Sequence, residues 1–366
     1  MKDVTEFINR WVLEAEPYSD KHMEFAWAHP DVVRMMSNEN PLPPSQKVLD
    51  AIERASRLGN LYPDTGPRLK QKLGKMAGLS AENVILGNGS TDVINFVLQT
   101  FVAPGEEVVI SVPTFPMYET RTRVNGGLPV LVPMGADLYW DMKAILQAVT
   151  SKTKLIFICT PNNPTGNVIA ANDIRRILDL GVPTFIDEAY YELADEPVTY
   201  APWIREYPHA LINRTFSKAY GLAGLRLGYL YADAKVINYL NRVRIPWNVS
   251  LIALAAACAA LEDVEDQRAK LENNAAGRAY LVEEVNKIPG FRAFQSQGNF
   301  VLIDASVLGR PANEIVNSMI ERGIFVRPMA GHHLTGFIRV TVGTPETNRR
   351  FVEVFKETVA EMVKRS

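Results

Sequence analysis

The feature that most constrains the fold is the alternation of continuous apolar runs with helix-like stretches in the middle of the chain. Strand-like runs are EEVVISV (106–112), LPVLVPM (128–134), KLIFICT (154–160), VPTFIDE (182–188), ALINRTF (210–216) and LRLGYLYA (225–232). Apolar residues at helical spacing occur in STDVINFVLQTF (90–101), DMKAILQAV (141–149) and AANDIRRILDLG (170–181). Continuous apolar strands separated by helices predict a mostly parallel sheet that is covered on both faces.

The pattern changes after Trp247. The later segments are predicted to be a charged helix (263–288), a strand (298–304), a helix (312–323), two strands (324–329 and 337–343) and a final helix (346–363). These segments predict a small α+β lobe, and a chain of 366 residues is long enough for two lobes. We therefore expect a large domain at 38–258 and a small domain formed by 1–37 together with 259–366, with the N-terminal residues as an arm.

Composition narrows the partners and the compartment. The net charge is −2 and no long run of one sign occurs, which argues against a nucleic-acid partner. The two cysteines, Cys159 and Cys258, lie in apolar runs without a spacing pattern, as expected in a reducing compartment. The N-terminus lacks the apolar core of a secretory signal, and the apolar stretch SLIALAAACAALED is too short to span a membrane. We expect a cytoplasmic protein in which that stretch is a buried helix.

Polar residues follow several of the predicted strands. Asn163 lies in FICTPNNPTG, Asp187 and Tyr190 lie in FIDEAYYE, and Ser217 and Lys218 end NRTFSK. In an open parallel sheet, ligands bind at the carboxyl ends of the strands. A buried aspartate is costly unless it is paired, so Asp187 needs either a cationic ring nitrogen or a nearby arginine.

The same residues meet the chemical needs of pyridoxal phosphate. That cofactor requires a lysine that can form a Schiff base, an acid that keeps the pyridine nitrogen protonated, and a phosphate site. GNGSTD (87–92) places small residues directly before a helix, where backbone N–H groups bind phosphate. It is a poor dinucleotide motif, because Asp92 occupies the last glycine position. The glycine-containing segment after Lys218 is predicted to be helical. Arg226 in this segment supplies a guanidinium for the phosphate.

The order of these motifs resembles fold-type I aminotransferases of class I/II, and most closely the histidinol-phosphate aminotransferase branch. The matching segments are NENPLPPS (38–45), YPD (62–64), GNGSTD (87–92), PTFPMY (113–118), PNNPTG (161–166), DEAYYE (187–192), RTFSKAYGLAGLRLGY (214–229), GNFVLI (298–303) and IRVTVGT (338–344). The resemblance covers nearly the whole chain. It implies a large domain with a mostly parallel seven-stranded sheet covered by helices, and a small α+β domain.

The resemblance also implies roles for individual residues. Lys218 forms the Schiff base and later shuttles the proton, while Asp187 pairs with the pyridinium. Other cofactor contacts are implied for Asn163 and Tyr190 at the ring 3-oxygen, Phe115 stacked on the ring, and Gly89, Ser90, Thr91, Ser217 and Arg226 at the phosphate. Tyr62 would reach the phosphate of the partner subunit in a homodimer with shared active sites. Substrate binding is implied for Tyr18, Asn40, Arg327 and Arg339.

The implied reaction is transamination between an amino donor and a 2-oxo acid, and the resemblance favours L-histidinol phosphate with 2-oxoglutarate. Two alternatives remain: transamination of another amino acid, such as an aromatic one, and a decarboxylase or lyase acting on a phosphorylated amino acid with the same cofactor. His332 and His333 depart from the branch, and they either recognise an anion or have no role. We expect no metal site, because adjacent strand residues point in opposite directions and no ligand cluster accompanies the pair.

Overall fold

The computed structural model describes residues 3–17 and 19–364. The strands are β1 Val33–Arg34, β2 Val84–Gly87, β3 Glu107–Val112, β4 Leu128–Pro133, β5 Thr153–Cys159, β6 Thr184–Asp187, β7 Ala210–Thr215, β8 Gly228–Tyr231, β9 Arg292–Ala293, β10 Phe300–Asp304, β11 Ile324–Phe325, β12 Arg327–Pro328 and β13 Phe337–Thr341. The helices are α1 Arg10–Leu13, α2 Lys21–Ala28, α3 Gln46–Ser56, α4 Pro67–Met76, α5 Ser90–Phe101, α6 Met117–Val124, α7 Met142–Ala148, α8 Ala171–Leu178, α9 Ala234–Val243, α10 Leu251–Leu261, α11 Val264–Asn286, α12 Ala312–Ile320 and α13 Pro345–Lys364.

The main sheet has seven strands in the order β2-β8-β7-β6-β5-β3-β4. The five strands from β4 to β7 run parallel to one another, and β8 is antiparallel to both of its neighbours. Strands β2, β6, β7 and β8 are buried at every residue, which explains their continuous apolar sequences. Apolar side chains form a cluster on each face of this sheet. The predicted mostly parallel, helix-covered sheet is confirmed.

A second, antiparallel sheet is built from β12, β13, β10 and β9. Its apolar core includes residues of α11, α12 and α13, together with Ala26, Val32, Met35 and Met36 from the N-terminal part of the chain. Strand β1 pairs in parallel with β11, which adds the N-terminal segment to the same body. In the described part of the chain, we find no helix that is both long and apolar enough to cross a bilayer.

The sequence predictions differ from the structure at several segments. Strand β8 is limited to Gly228–Tyr231 rather than 225–232, because residues 223–225 form a 3-10 turn. The helical reading around Arg226 is wrong: this residue has a left-handed backbone (φ 56°) directly after the turn. The single strand predicted at 324–329 is two short strands, β11 and β12, which belong to different sheets.

Candidate active site

The carboxyl ends of β5, β6 and β7 meet at one edge of the main sheet because these strands are parallel neighbours. Asp187 is the last residue of β6, Asn163 follows β5, and Ser217 and Lys218 follow β7. Asn163, Asp187 and Ser217 are buried, and Lys218 is partly buried. The structure therefore brings together the polar residues that the sequence placed at strand ends, in the region where open α/β sheets bind ligands.

Asp187 is 3% exposed and accepts hydrogen bonds from neutral donors. Its Oδ2 accepts from the Tyr118 hydroxyl at 2.6 Å, and its Oδ1 accepts from Asn213 Nδ2 at 2.8 Å and from the Ala189 N–H at 3.0 Å. Burial raises the pKa of Asp187, and these hydrogen bonds oppose the rise. Neutral donors stabilise the carboxylate but leave its charge unbalanced, so the site favours a bound cation.

The sequence left two possible partners for Asp187, a cationic ring nitrogen or a nearby arginine. The buried guanidinium of Arg214 pairs with the next residue, Glu188, at 2.8 Å. Glu188 lies on the opposite face of the sheet from Asp187, because their partners, Arg214 and Asn213, are successive residues of β7 and successive strand residues alternate. Within residues 3–17 and 19–364, no arginine or lysine nitrogen lies within 4.0 Å of the Asp187 carboxylate. Among the described residues, the partner of Asp187 is therefore not an arginine.

Lys218 is held at the edge of the sheet by backbone carbonyls. Its Nζ donates to the carbonyl oxygens of Ser37 at 3.2 Å and Asn38 at 3.1 Å. Burial lowers the pKa of Lys218 to about 8, and the positive charge of Arg339 acts in the same direction. The Asn40 amide donates to the carbonyls of Lys218 and Ala219, both at 3.3 Å, and so holds the backbone of this loop. A lysine with a lowered pKa has an appreciable neutral, nucleophilic fraction near neutral pH.

Tyr190 lies beside this lysine, and Asn163 contacts Arg339. The Tyr190 ring centroid is 5.8 Å from Lys218 Nζ, and its hydroxyl accepts a hydrogen bond from Asn38 Nδ2 at 2.9 Å. Asn163 accepts a hydrogen bond at Oδ1 from Arg339 Nη1 at 2.5 Å. Arg339 also donates from Nη2 to the Met36 carbonyl at 2.9 Å.

These contacts connect Asn163 with the second sheet, because Arg339 lies in β13. Burial raises the pKa of Tyr190, so its hydroxyl stays protonated over the physiological range.

Helix α5 begins at the same edge, and its N-terminus is shaped by glycine. Gly89 has φ 79°, and a Cβ at this position would lie 2.5 Å from Arg226 Nη2. The positive φ and the close approach of that guanidinium both favour glycine here. Ser90 and Thr91 are the first two residues of the helix, whose free N–H groups and dipole favour an anion. Backbone N–H groups and the Arg226 guanidinium together form a cradle suited to phosphate.

Phe115 and Tyr118 form the aromatic side of the site. Both belong to the segment that follows β3, and their rings meet edge to face with centroids 5.6 Å apart. Tyr118 is fully buried and stacks on Phe157 at 4.6 Å, which fixes the hydroxyl that it donates to Asp187. Phe115 is partly buried.

Two arginines expected to bind substrate lie side by side. Arg327 in β12 is the direct partner of Arg339 in β13, so both side chains leave the same face of the second sheet. Like charges placed opposite each other are unfavourable unless an anion lies between them. Both arginines help to lower the pKa of His22 and that of His332, whose pKa falls to about 3, with burial as the main cause in each case. Both imidazoles are therefore neutral near pH 7, and Arg327 and Arg339 supply the positive charge of this cluster.

His332 and His333 differ in burial: His332 is buried and His333 is exposed. His332 is 7% exposed, and within the described residues its Nδ1 has no hydrogen-bond partner. His333 has a left-handed backbone, and its Nε2 lies 3.5 Å from Glu119 Oε2. They end a 3-10 turn rather than lie in a strand, so the alternation argument used for them was wrong in its premise.

Two predicted site residues cannot be placed in this cluster. Tyr18 lies outside the described residues. Tyr62 is 79% exposed and stacks on Trp247, with ring centroids 4.6 Å apart. Two exposed aromatic rings on one surface are consistent with a contact outside this chain.

The structure also assigns hydrogen-bonding roles to residues that the sequence argument did not single out. These residues are Tyr118, Asn213, Asn38, Asn299 and Thr341. Tyr118 and Asn38 lie within segments already quoted for the resemblance, PTFPMY and NENPLPPS. Their partners are 69 and 152 residues away in sequence, so local pattern could not reveal these contacts.

The fold and the site together define an α/β enzyme of fold type I, with a lysine and an aspartate at neighbouring strand ends and an anion cradle at a helix N-terminus. Residues 30–355 match the family model for aminotransferase class I and II, and the chain belongs to this family. It is an aminotransferase.

Individual relatives cover most of the chain. A histidinol-phosphate aminotransferase from Symbiobacterium thermophilum is 39% identical, over 90% of this chain and 91% of the relative. The solved structure of histidinol-phosphate aminotransferase from Sinorhizobium meliloti in complex with pyridoxal-5'-phosphate has a TM-score of 0.85 and 26% identity, covering 96% and 97% of the two chains. Aspartate aminotransferase from Thermus thermophilus with maleate has the same TM-score at 25% identity, covering 96% and 99%.

Proposed function

We propose that this aminotransferase uses pyridoxal phosphate to transfer an amino group between L-histidinol phosphate and 2-oxoglutarate, a step of histidine biosynthesis. The observation that supports this donor is the pairing of Arg327 with Arg339 across β12 and β13, because two adjacent guanidiniums suit a phosphate. The similarity to the Symbiobacterium thermophilum enzyme supports the same choice. The fold alone does not select it, since an aspartate aminotransferase is equally similar in structure.

The residues of the site fit the three charged or reactive groups of pyridoxal phosphate. Among the described residues, the buried carboxylate of Asp187 is hydrogen-bonded by neutral donors and forms no ion pair, which suits a protonated ring nitrogen. Lys218 offers an amine of lowered pKa for the aldehyde. The phosphate would be held by Gly89, Ser90, Thr91, Ser217 and Arg226. Asn163 and Tyr190 would hydrogen-bond the ring 3-oxygen, and Phe115 would stack on the ring.

When bound, pyridoxal phosphate supplies an aldehyde that bonds reversibly to amines and a ring that delocalises negative charge from the substrate carbon. Lys218 Nζ removes the proton from the substrate carbon that bears the amino group, and it later returns a proton. Asp187 keeps a proton on the ring nitrogen, which preserves the ring's capacity to accept electrons. A positioned acid–base group of this kind contributes about 10²–10⁴-fold to the rate.

Arg327 and Arg339 would bind the phosphate of the donor, with Tyr18 in support, and Asn40 would line the substrate side of Lys218. The neutral His332 adds no charge to this region. The 2-oxo acid would use the same arginines for its distal carboxylate, since both substrates occupy one site in turn. This use of one anion site for a phosphate and a carboxylate matches the planar, multiple donors of guanidinium groups.

We further propose a homodimer in which Tyr62 of each subunit reaches the phosphate bound by the other. Its large exposed fraction and its stacking on Trp247 support an intermolecular contact. We propose the domain division of 38–258 against 1–37 with 259–366, which agrees with the separate apolar clusters of the two sheets. A cytoplasmic location is supported by the free thiols of Cys159 and Cys258.

A donor panel tests the proposal. The holoenzyme is mixed with 2-oxoglutarate and, at matched concentrations, with histidinol phosphate, histidinol, phenylalanine or aspartate, and glutamate formation is measured. We expect the highest kcat/KM with histidinol phosphate. A preference for phenylalanine would support the aromatic alternative, and carbon dioxide release without glutamate formation would support a decarboxylase.

Replacement of Arg327 by alanine should weaken the phosphorylated donor selectively. Loss of a charged hydrogen bond costs about 1.5–3 kcal/mol, so we expect KM for histidinol phosphate to rise roughly 10- to 150-fold. KM for phenylalanine should change less than about threefold, since its ring carries no anion. Arg349→Ala, an exposed arginine on α13, is the matched control. Equal losses for both donors would contradict a phosphate role for Arg327.

The rate at which the cofactor-free protein captures pyridoxal phosphate should depend on pH. Burial lowers the pKa of Lys218 to about 8, so the neutral amine becomes the main form above that pH. Stopped-flow absorbance should show a rate that rises about tenfold per pH unit below pH 8 and levels off above it. A rate that keeps rising up to pH 10 would indicate a lysine of ordinary pKa. Lys218→Ala should show no covalent phase at any pH.

A further inference from the structure

A chain of hydrogen bonds leads from β13 through Asn38 to Tyr190. The Asn38 N–H donates to Thr341 Oγ1 at 2.9 Å, which leaves the Thr341 hydroxyl proton available. That hydroxyl donates to Asn38 Oδ1 at 3.3 Å. Because Oδ1 accepts from Thr341, the amide orientation is fixed, and Nδ2 faces the Tyr190 hydroxyl at 2.9 Å.

This arrangement determines the direction of the Tyr190 hydroxyl proton. The hydroxyl accepts from Asn38, and an amide NH₂ group cannot accept a proton in return. The single proton of Tyr190 must therefore point to another acceptor. Asn38, Tyr190 and Thr341 are all buried, so water does not readily replace these contacts.

Asn38 also joins three parts of the chain around the catalytic lysine. Its carbonyl accepts from Lys218 Nζ at 3.1 Å and from Asn299 Nδ2 at 2.9 Å. Its backbone is left-handed, with φ 54°, a conformation that asparagine tolerates better than most residues. The residue is thus fixed by its own backbone, by β13 and by Asn299, as a group that orients a neighbour must be.

We propose that Asn38 and Thr341 are positioning residues that direct the Tyr190 hydroxyl proton toward an acceptor oxygen of the bound ligand. This inference rests on the proposed function, in which that acceptor is the 3-oxygen of pyridoxal phosphate. Without Asn38, the hydroxyl is free to rotate and donates to the ligand only part of the time. The consequence is electronic: a hydrogen bond donated to an anionic oxygen stabilises the deprotonated form and lowers the pKa of the bound chromophore.

The test is a pH titration of the visible absorbance of purified holoenzyme. Tyr190→Phe removes the donor and should raise the chromophore pKa by about one unit or more, the size expected for a hydrogen bond to a charged group. Asn38→Gly keeps the left-handed backbone and the carbonyl that contacts Lys218, but it removes the amide. It should raise the chromophore pKa by a smaller amount. The double variant should match Tyr190→Phe alone, since Asn38 acts through Tyr190.

A second pair of variants examines the other end of the chain. Thr341→Val removes the hydroxyl that fixes the amide and should raise the chromophore pKa, whereas Thr341→Ser keeps the hydroxyl and should leave that pKa near the wild-type value. If Asn38→Gly does not fold, this pair decides the question. A loss of packing alone would not explain a chromophore pKa that is raised in Thr341→Val but stays near the wild-type value in Thr341→Ser.

Several outcomes would overturn the inference. One is a wild-type titration in Asn38→Gly or in Thr341→Val, and another is a shift for Asn38→Gly that adds fully to that of Tyr190→Phe. An unshifted Tyr190→Phe variant would remove the group through which Asn38 acts. If wild-type protein formed no chromophore with pyridoxal phosphate, the proposed function and this inference would fail together. A titrating wild type with a shifted Tyr190→Phe and an unmoved Asn38→Gly overturns the inference alone.

Discussion

Replacement of Lys218 by alanine should lower kcat/KM for transamination by at least about 10⁴-fold, the upper range for loss of a positioned acid–base group. The variant loses both the amine that bonds the cofactor and the base that moves the substrate proton. Alanine leaves the buried edge of the sheet uncharged, so the loss is not expected to arise from unfolding. Steady-state kinetics with the preferred donor, together with a thermal melt, measures both effects.

The covalent role of Lys218 has a direct chemical readout. After borohydride reduction and proteolysis of wild-type holoenzyme, mass spectrometry should place the cofactor adduct on the peptide that contains Lys218. The exposed Lys143 on α7 provides a control, since Lys143→Ala should leave both the adduct and the activity unchanged. An adduct on a different side chain, or full activity in Lys218→Ala, would contradict the proposed site.

Replacement of Asp187 by asparagine should be the next most damaging change. The substitution keeps the shape of the side chain and removes a buried negative charge. Truncating one partner of a buried charge pair costs about 2–5 kcal/mol, which corresponds to roughly 30- to 5,000-fold in kcat/KM. The cofactor should also dissociate more readily, and equilibrium dialysis measures this change separately from the rate.

Asp187→Asn removes an acceptor charge beside two neutral donors, Tyr118 and Asn213, so its fold should be retained. Desolvation is the main force that raises the Asp187 pKa, and removal of a buried charge can even increase the free energy of unfolding. Asp31→Asn, at an exposed position, is the matched control. Activity within about threefold of wild type in Asp187→Asn would show that the carboxylate charge is not used, since a threefold change is under 1 kcal/mol.

Long periodic segments were predictable from sequence, and isolated short ones were not. The helix predicted at 90–101 has those bounds in the structure, because apolar spacing and a glycine before it define both its face and its start. The short strand β2 was not predicted, since four residues carry little periodic signal. The segment around Arg226 was misassigned because its glycines permit a turn that local pattern does not specify.

The site shows the same division between local and distant information. The position of Asp187 and Lys218 at one edge of the sheet could be predicted, because each lies at the carboxyl end of a strand and the strands are parallel. The residues that contact the Asp187 carboxylate could not be predicted, because nothing in the local sequence shows that the nearby Arg214 pairs with Glu188 instead. Contacts such as Asn38 with Tyr190 and Thr341 join segments that only the folded chain brings together. The local sequence around Asn38, Tyr190 and Thr341 does not indicate that these three side chains meet.

The adjacent acids at the end of β6 have opposite surroundings, and this limits how the gene can change. Asp187 faces Tyr118 and Asn213, whereas Glu188 faces the buried guanidinium of Arg214. A one-codon deletion or duplication within β6 would exchange the two faces, because side chains alternate along a strand. Each carboxylate would then meet the wrong neighbours. Insertion scanning of the coding sequence should therefore find in-frame changes tolerated in exposed loops and excluded from this strand, even where substitutions are accepted.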